Sequence, residues 1–85
     1  MNMDMNDITI LEVKDIAIAA YLYASNELQL VGKRKLANGA ILLQFTPQVK
    51  ADELIQHYWN LTASPIQPKL LFSAFRDIKD MLFSN

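Results

Sequence analysis

The stretch Leu28–Phe45, LQLVGKRKLANGAILLQF, decides the reading of this chain. Across it the apolar spacing changes from a helical period of about 3.6 residues to the strand period of 2, then reverts. Asn38-Gly39 lies between the apolar runs Leu28–Leu36 and Ala40–Phe45. Asn-Gly between alternating apolar residues predicts a β-hairpin with a type I′ turn, because that turn needs positive φ at both central residues. The chain has two glycines, Gly32 and Gly39, and both fall here. Leu28, Leu30, Gly32 and Leu36 are expected on one face, with Arg34 between them near the turn, opposite Ile41, Leu43 and Phe45, and Gln29, Val31, Lys33, Lys35, Leu42 and Gln44 on the other. Gly32, mid-strand, predicts a bulge or a close backbone approach.

Working outward, the flanks read as helices. Before the hairpin, Ile16, Ala19, Ala20 and Tyr23 recur at helical spacing, with Leu22 widening that face. A helix is expected from about Lys14 to Ser25, without an obvious side-chain cap and closed by Asn26, which tolerates the left-handed conformation. Thr9–Val13 suits an extended segment. After the hairpin, Thr46-Pro47 reads as a cap and first helical residue. The helix it starts should reach about Asn60, with Leu54, Tyr58 and Leu61 inward and Ile55 and Trp59 beside them. The last helix begins at Ser64-Pro65 or at Pro68 and reaches about Phe83, burying Leu71, Phe75, Ile78 and Leu82. The expected fold class is α+β: helix, two-stranded antiparallel hairpin, helix, helix. Residues 1–7 read as a flexible tail and residues 8–85 as one domain. The expected core is Leu22, Leu30, Leu43, Phe45, Leu54, Tyr58, Leu71, Phe75 and Ile78.

Composition narrows the function classes. The chain has 85 residues, no cysteine, 52% apolar residues and a formal net charge of −1. Neither a disulfide nor a thiolate zinc site can hold it together, so packing must. Near-zero charge gives little colloidal repulsion and argues against a strongly basic nucleic-acid binder. The acidic N-terminal residues do not resemble a signal peptide, and the run Ile16–Ala24 falls short of the roughly 20 residues of a membrane span. The expected location is cytoplasmic, without membrane contact.

The order of elements is similar to a known family. Asp15-Ile16 and Ala19-Ala20-Tyr21-Leu22, a hairpin, Tyr58-Trp59, then Pro68, Leu71-Phe72, Ala74-Phe75, Lys79 and Leu82 resemble a family of small prokaryotic and phage-associated proteins known only as a domain of unknown function. The likeness spans about residues 12–83. Family members often carry a threonine-type cap before the first helix and Asp-Pro at the start of the last, where this chain has Val13 and Gln67-Pro68. The resemblance implies a fold and no activity.

No residue pattern calls for catalysis, a cofactor or a metal. His57 is the only histidine, and Glu53 four residues earlier is its one well-spaced carboxylate. Asp77 and Asp80 are interleaved with Arg76 and Lys79, and Arg76–Asp80 reads as a solvated charge pair. The serines lack a nucleophile motif, and no glycine-rich loop could cradle a phosphate. Tyr21, Tyr58, Trp59, Phe72 and Phe75 read as core at helical spacing rather than a pocket or partner groove.

Charge is distributed unevenly. Residues 28–51 contain Lys33, Arg34, Lys35 and Lys50 and no acid, while residues 1–27 contain five acids and one base. Lys33 and Lys35 on one strand face could contact phosphates, or guard an exposed strand edge against aggregation. No aromatic residue stands beside them to stack on bases. The expected function is a non-enzymatic protein-interaction module, a homodimer that also meets an unidentified protein partner, with Val31, Leu42 and Gln44 as the self-association face. The alternative is a small nucleic-acid-associated protein that uses Lys33, Arg34, Lys35 and Lys50.

Overall fold

Leu43 and Phe45 alternate on one side of a strand and are 2% and 1% exposed, so the hydrophobic core is organised around them. The computed structural model describes residues 9–83; the expected tail, residues 1–7, lies outside the described residues. The elements are β1 (Leu11–Val13), α1 (Ile16–Ser25), β2 (Gln29–Lys35), β3 (Ile41–Thr46), α2 (Gln48–Trp59) and α3 (Pro68–Phe83). The α+β class is as expected. The sheet, however, has three strands in the order β1-β3-β2, all antiparallel, so the hairpin acquires a further strand on the β3 side. Leu11 pairs with Phe45 and Val13 with Leu43, which brings two more apolar residues to the buried face. A third strand matters because an isolated two-stranded hairpin is marginal in water.

The turn is not type I′. Gly39 has φ 93°, but Asn38 is not in the positive-φ region. The Gly39 amide donates to the Leu36 carbonyl at 2.9 Å, and the Leu36 amide donates to the Ala40 carbonyl at 2.7 Å. Ala37, Asn38 and Gly39 thus make a three-residue loop in which only the glycine takes the left-handed position. Asn38 contributes through its side chain, whose Oδ1 accepts from the Ala40 amide at 2.9 Å.

In β2, the register slips between Leu30 and Gly32, leaving Val31 as the bulged residue. The bulge reverses the faces beyond it. Lys33 now lies opposite Leu43 and Lys35 opposite Ile41, on the side that carries the core, while Arg34 lies opposite Leu42 on the other side. The expected placement of these three basic residues is therefore inverted. At Gly32, a Cβ would approach the Gln44 Oε1 to 3.1 Å, so the bulge sits tightly against its neighbour.

Helix α1 begins later than expected and does have a cap. The Asp15 Oδ1 accepts from the Ile18 amide at 3.1 Å, and Asn26 ends the helix at φ 61°. Its buried set is Ile18, Ala19, Ala20, Tyr21 and Leu22, whereas Tyr23 is exposed. Neighbouring elements cover α1 on several sides, so no single stripe describes it. Leu22 and Ile78 are fully buried and join Val13, Leu43, Phe45 and Leu54 in one cluster. Of the expected core, Leu30 and Tyr58 are only partly buried, and Leu71 and Phe75 lie at its border.

Thr46 does not cap α2. Pro47 holds the N-cap position after a cis Thr46–Pro47 peptide, and the Thr46 hydroxyl donates to the Thr9 carbonyl at 3.2 Å. At the other end, the Thr62 amide donates to the His57 carbonyl at 2.9 Å and the Leu61 amide to the Tyr58 carbonyl at 3.3 Å. This is the Schellman pattern, and its left-handed position belongs to Leu61, at φ 61°. Leu61, expected inside, is 91% exposed. Helix α3 takes the Pro68 start.

Truncating Phe45 to Ala should cost about 3–5 kcal/mol, and Leu22 or Leu43 to Ala about 2–5 kcal/mol, by lost burial plus an unfilled cavity. Phe72→Ala, at an exposed position, should cost much less. Urea unfolding of the four variants checks this ranking.

Candidate functional site

Among the described residues, Arg34, Lys33 and Lys50 each make a separate set of contacts. On the sheet face opposite the core, Arg34 makes a two-pronged contact with Glu12: Nε donates to Oε2 at 2.8 Å and Nη2 to Oε1 at 2.7 Å. The Gln44 Nε2 donates to the same Glu12 Oε2 at 2.9 Å. Glu12 is on β1, Gln44 on β3 and Arg34 on β2, so one carboxylate ties all three strands across the sheet. The Arg34 hydrogen bond, then that of Gln44, holds the Glu12 carboxyl down to about 2.

On the core side, the Lys33 Nζ donates to the Met81 carbonyl in the last turn of α3. An ammonium there satisfies a terminal carbonyl and complements the negative end of the helix dipole. Lys50, in the first turn of α2, lies 3.0 Å from the Glu27 Oε1 and 3.7 Å from the Glu53 Oε1. The Glu27 contact, aided by Glu53, raises the Lys50 pKa.

The structure therefore does not gather Lys33, Arg34, Lys35 and Lys50 into one basic patch. Arg34 and Lys50 are matched to carboxylates, Lys33 bonds to a helix end, and Lys35 is exposed near the turn. Of the expected self-association face, Leu42 and Gln44 share the open side of the sheet. Val31 is at the bulge, Leu42 is half-buried opposite Arg34, and Gln44 is engaged with Glu12. Among the described residues no ion pair joins Arg76 to Asp80. Among the described residues no group of three or more His, Asp or Glu side chains could hold a metal ion, and no helix is long and apolar enough to cross a membrane.

Two of the hollows among the described residues adjoin each other, and neither was expected from the sequence. They share a wall at Tyr21 and the connector 62–67. The first is a cleft of about 430 Å³ between the end of α1, α2 and the connector. Its wall carries Glu27, Lys50, Glu53 and His57; its floor includes Tyr21, Leu54 and Ile66. The His57 Nδ1 is 2.8 Å from the Thr62 Oγ1, which fixes the imidazole against the connector. The second is an apolar groove of about 350 Å³ lined by Ala17, Tyr21, Tyr58, Leu71 and Phe75 among others. The Tyr21 and Tyr58 rings stand 5.5 Å apart, and Trp59 meets Tyr58 edge-on at 5.2 Å. Lys50, Glu53 and His57 sit at i, i+3 and i+7, so one wall of the cleft was visible as a helix stripe. Glu27 and Tyr21 come from other elements and carried no such signal.

No family model, curated protein or solved structure matches the chain. The resemblance to the uncharacterised family thus rests on its quoted residues.

The Glu12 clamp has a pH signature. Its folded pKa lies below the ordinary value of 4.5, so its contribution is complete above that value and fades as pH falls towards about 2. The thermal midpoint of Glu12→Gln should lie below that of the parent at pH 6, with the gap closing as pH approaches 2. A gap independent of pH would show that the carboxylate's charge is not what Arg34 and Gln44 respond to.

Proposed function

We propose that this chain is a small non-enzymatic interaction module that pairs with a second copy of itself through its helical side. The observation that carries this reading is Leu61. A leucine in the left-handed region costs about 1–2 kcal/mol relative to a right-handed residue, and helices usually end with glycine at that position. Here the strained residue is also 91% exposed, so the fold gains no burial from its side chain. The Schellman hydrogen bonds account for the left-handed backbone but not for an apolar side chain there, where glycine would serve. The exposed leucine thus points to a partner outside the chain.

The surroundings support the same reading. Trp59 and Phe72 are each 65% exposed, and they neighbour Tyr58 and Leu71 of the apolar groove. Large aromatic residues are the usual anchors of protein interfaces. The sheet is less suited to self-association. Its free β2 edge is interrupted by the Val31 bulge and carries Lys33 and Lys35, devices that discourage strand pairing. Its open face is occupied by the Glu12–Arg34–Gln44 network. The proposed contact is therefore built by α2, α3 and the turn between them.

Leu61→Gly separates fold from function. It should stabilise the monomer by about 0.5–1 kcal/mol, the relief of left-handed strain less the extra unfolded-state entropy of glycine. The same substitution should weaken dimerisation. Light scattering on a size-exclusion column at about 100 μM should give a dimer mass for the parent, since a Kd near 1 μM corresponds to about 8 kcal/mol. Trp59→Ala with Phe72→Ala should give a folded monomer. A parent monomer at that concentration would overturn the proposal. Nucleic acid that co-purifies and dissociates steeply with salt would favour the basic-residue alternative instead.

A further inference from the structure

Helix α3 turns Ala74 and Ile78 into the core, which sends Phe72, Arg76, Lys79 and Phe83 to its far side. These four fall at i, i+4, i+7 and i+11 and so share one stripe. All are exposed, the two phenylalanines at 65% and 80%. Asp80, also exposed, borders the stripe one turn beyond Arg76. Arg76 and Asp80 have the spacing of an i, i+4 pair, but the base comes first, the weaker of the two orientations. Among the described residues neither makes an ion pair. Two opposite charges and two large aromatic rings are thus left without partners on one helix face.

Their positions are complementary to the same stripe read backwards. Arg76 and Asp80 stand two residues before and two after Ile78, with opposite charge. Phe72 and Phe83 stand six before and five after it. A second α3 laid antiparallel, with the two-fold axis at the level of Ile78, therefore sets Arg76 beside Asp80 of the other copy, twice over. The same register brings each Phe72 to within one residue, about 1.5 Å along the axis, of the level of the other copy's Phe83. A parallel pairing would instead face Arg76 with Arg76 and Asp80 with Asp80, which repel. Exposed ion pairs add little affinity, so burial of the rings supplies the energy and the charges fix the orientation. Lys79, at the edge of the stripe, keeps its ammonium in water.

We propose that α3 packs antiparallel against α3 of a second copy, with reciprocal Arg76–Asp80 ion pairs and Phe72–Phe83 ring contacts across the two-fold axis. This rests on the self-association reading above and gives that contact its orientation and register.

Charge reversal tests the pairing, because each chain carries both halves of it. Arg76→Asp and Asp80→Arg each place like charges across the axis, and each should weaken the dimer about tenfold in sedimentation equilibrium of the full chain. Mixed in equal amounts, the two variants should form a heterodimer, recognised by its mass in native mass spectrometry, with an affinity within about threefold of the parent's. Both positions are exposed, so both variants should keep the parent's far-ultraviolet circular dichroism. Phe72→Ala and Phe83→Ala should weaken the dimer non-additively, since the two rings are about 16 Å apart along one helix and meet only across copies. A parent dimer indifferent to both reversals, or one whose weakened variants do not recover on mixing, would overturn the antiparallel pairing and leave self-association standing. A parent monomer at about 100 μM would remove both. A single-stranded oligonucleotide that binds the parent, binds Asp80→Arg more tightly and displaces the second copy would assign the stripe to phosphates and overturn the pairing as well.

Discussion

The structure depends on burying one face of β3, the central strand of the sheet. Leu43 and Phe45 cannot stay in water, and their alternation puts both on the same side of the strand. Pairing with β1 and β2 satisfies the backbone of β3 on both edges, and α1 then covers its apolar side together with Leu54 and Ile78. In a chain of 85 residues without cysteine, this one cluster supplies most of the burial available. The other elements are arranged to meet it. Val13 arrives from β1, Leu22 from α1 and Ile78 from α3, each from a distant part of the sequence.

The bulge at Val31 is the second constraint, and it acts on charge rather than on burial. One extra residue in β2 sends Lys33 and Lys35 to the helical side and Arg34 to the open side. Arg34 can then reach across β3 to Glu12, while Lys33 reaches the end of α3. A regular strand would have reversed both placements, losing the clamp and aiming two lysines at the open face. The local cluster of basic residues is thereby divided among structural tasks on both sides of the sheet. This division leaves α2, α3 and their connector as the surface with unassigned apolar and polar groups. The strained Leu61 lies in that surface, in the turn that follows α2.

Much of the fold was legible because its signals are local. The hydrophobic period marks the hairpin and all three helices, Asn26 closes α1, and Gly32 marks the bulge. Leu22, Leu43, Phe45, Leu54 and Ile78 were recognisable as core by spacing alone. Asn-Gly does not by itself distinguish a type I′ turn from the three-residue loop found here, where asparagine acts through its side chain. The cap at Asp15 is a local feature, an aspartate three residues before the Ile18 amide, although no apolar period marks where α1 begins.

What the sequence by itself determined was the type and order of the main elements, since each depends on residues within a few positions of one another. The tertiary structure alone decided the rest. Thr9–Val13 was expected to be extended, but that Leu11–Val13 joins the sheet follows from the edge that β3 offers thirty or more residues away. The faces of Lys33, Arg34 and Lys35 follow from where the register slips against β3. The cleft joins Tyr21 and Glu27 to Lys50, Glu53 and His57 only when α1 and α2 pack together. Such contacts are long-range, and their energy depends on distances that no local pattern encodes.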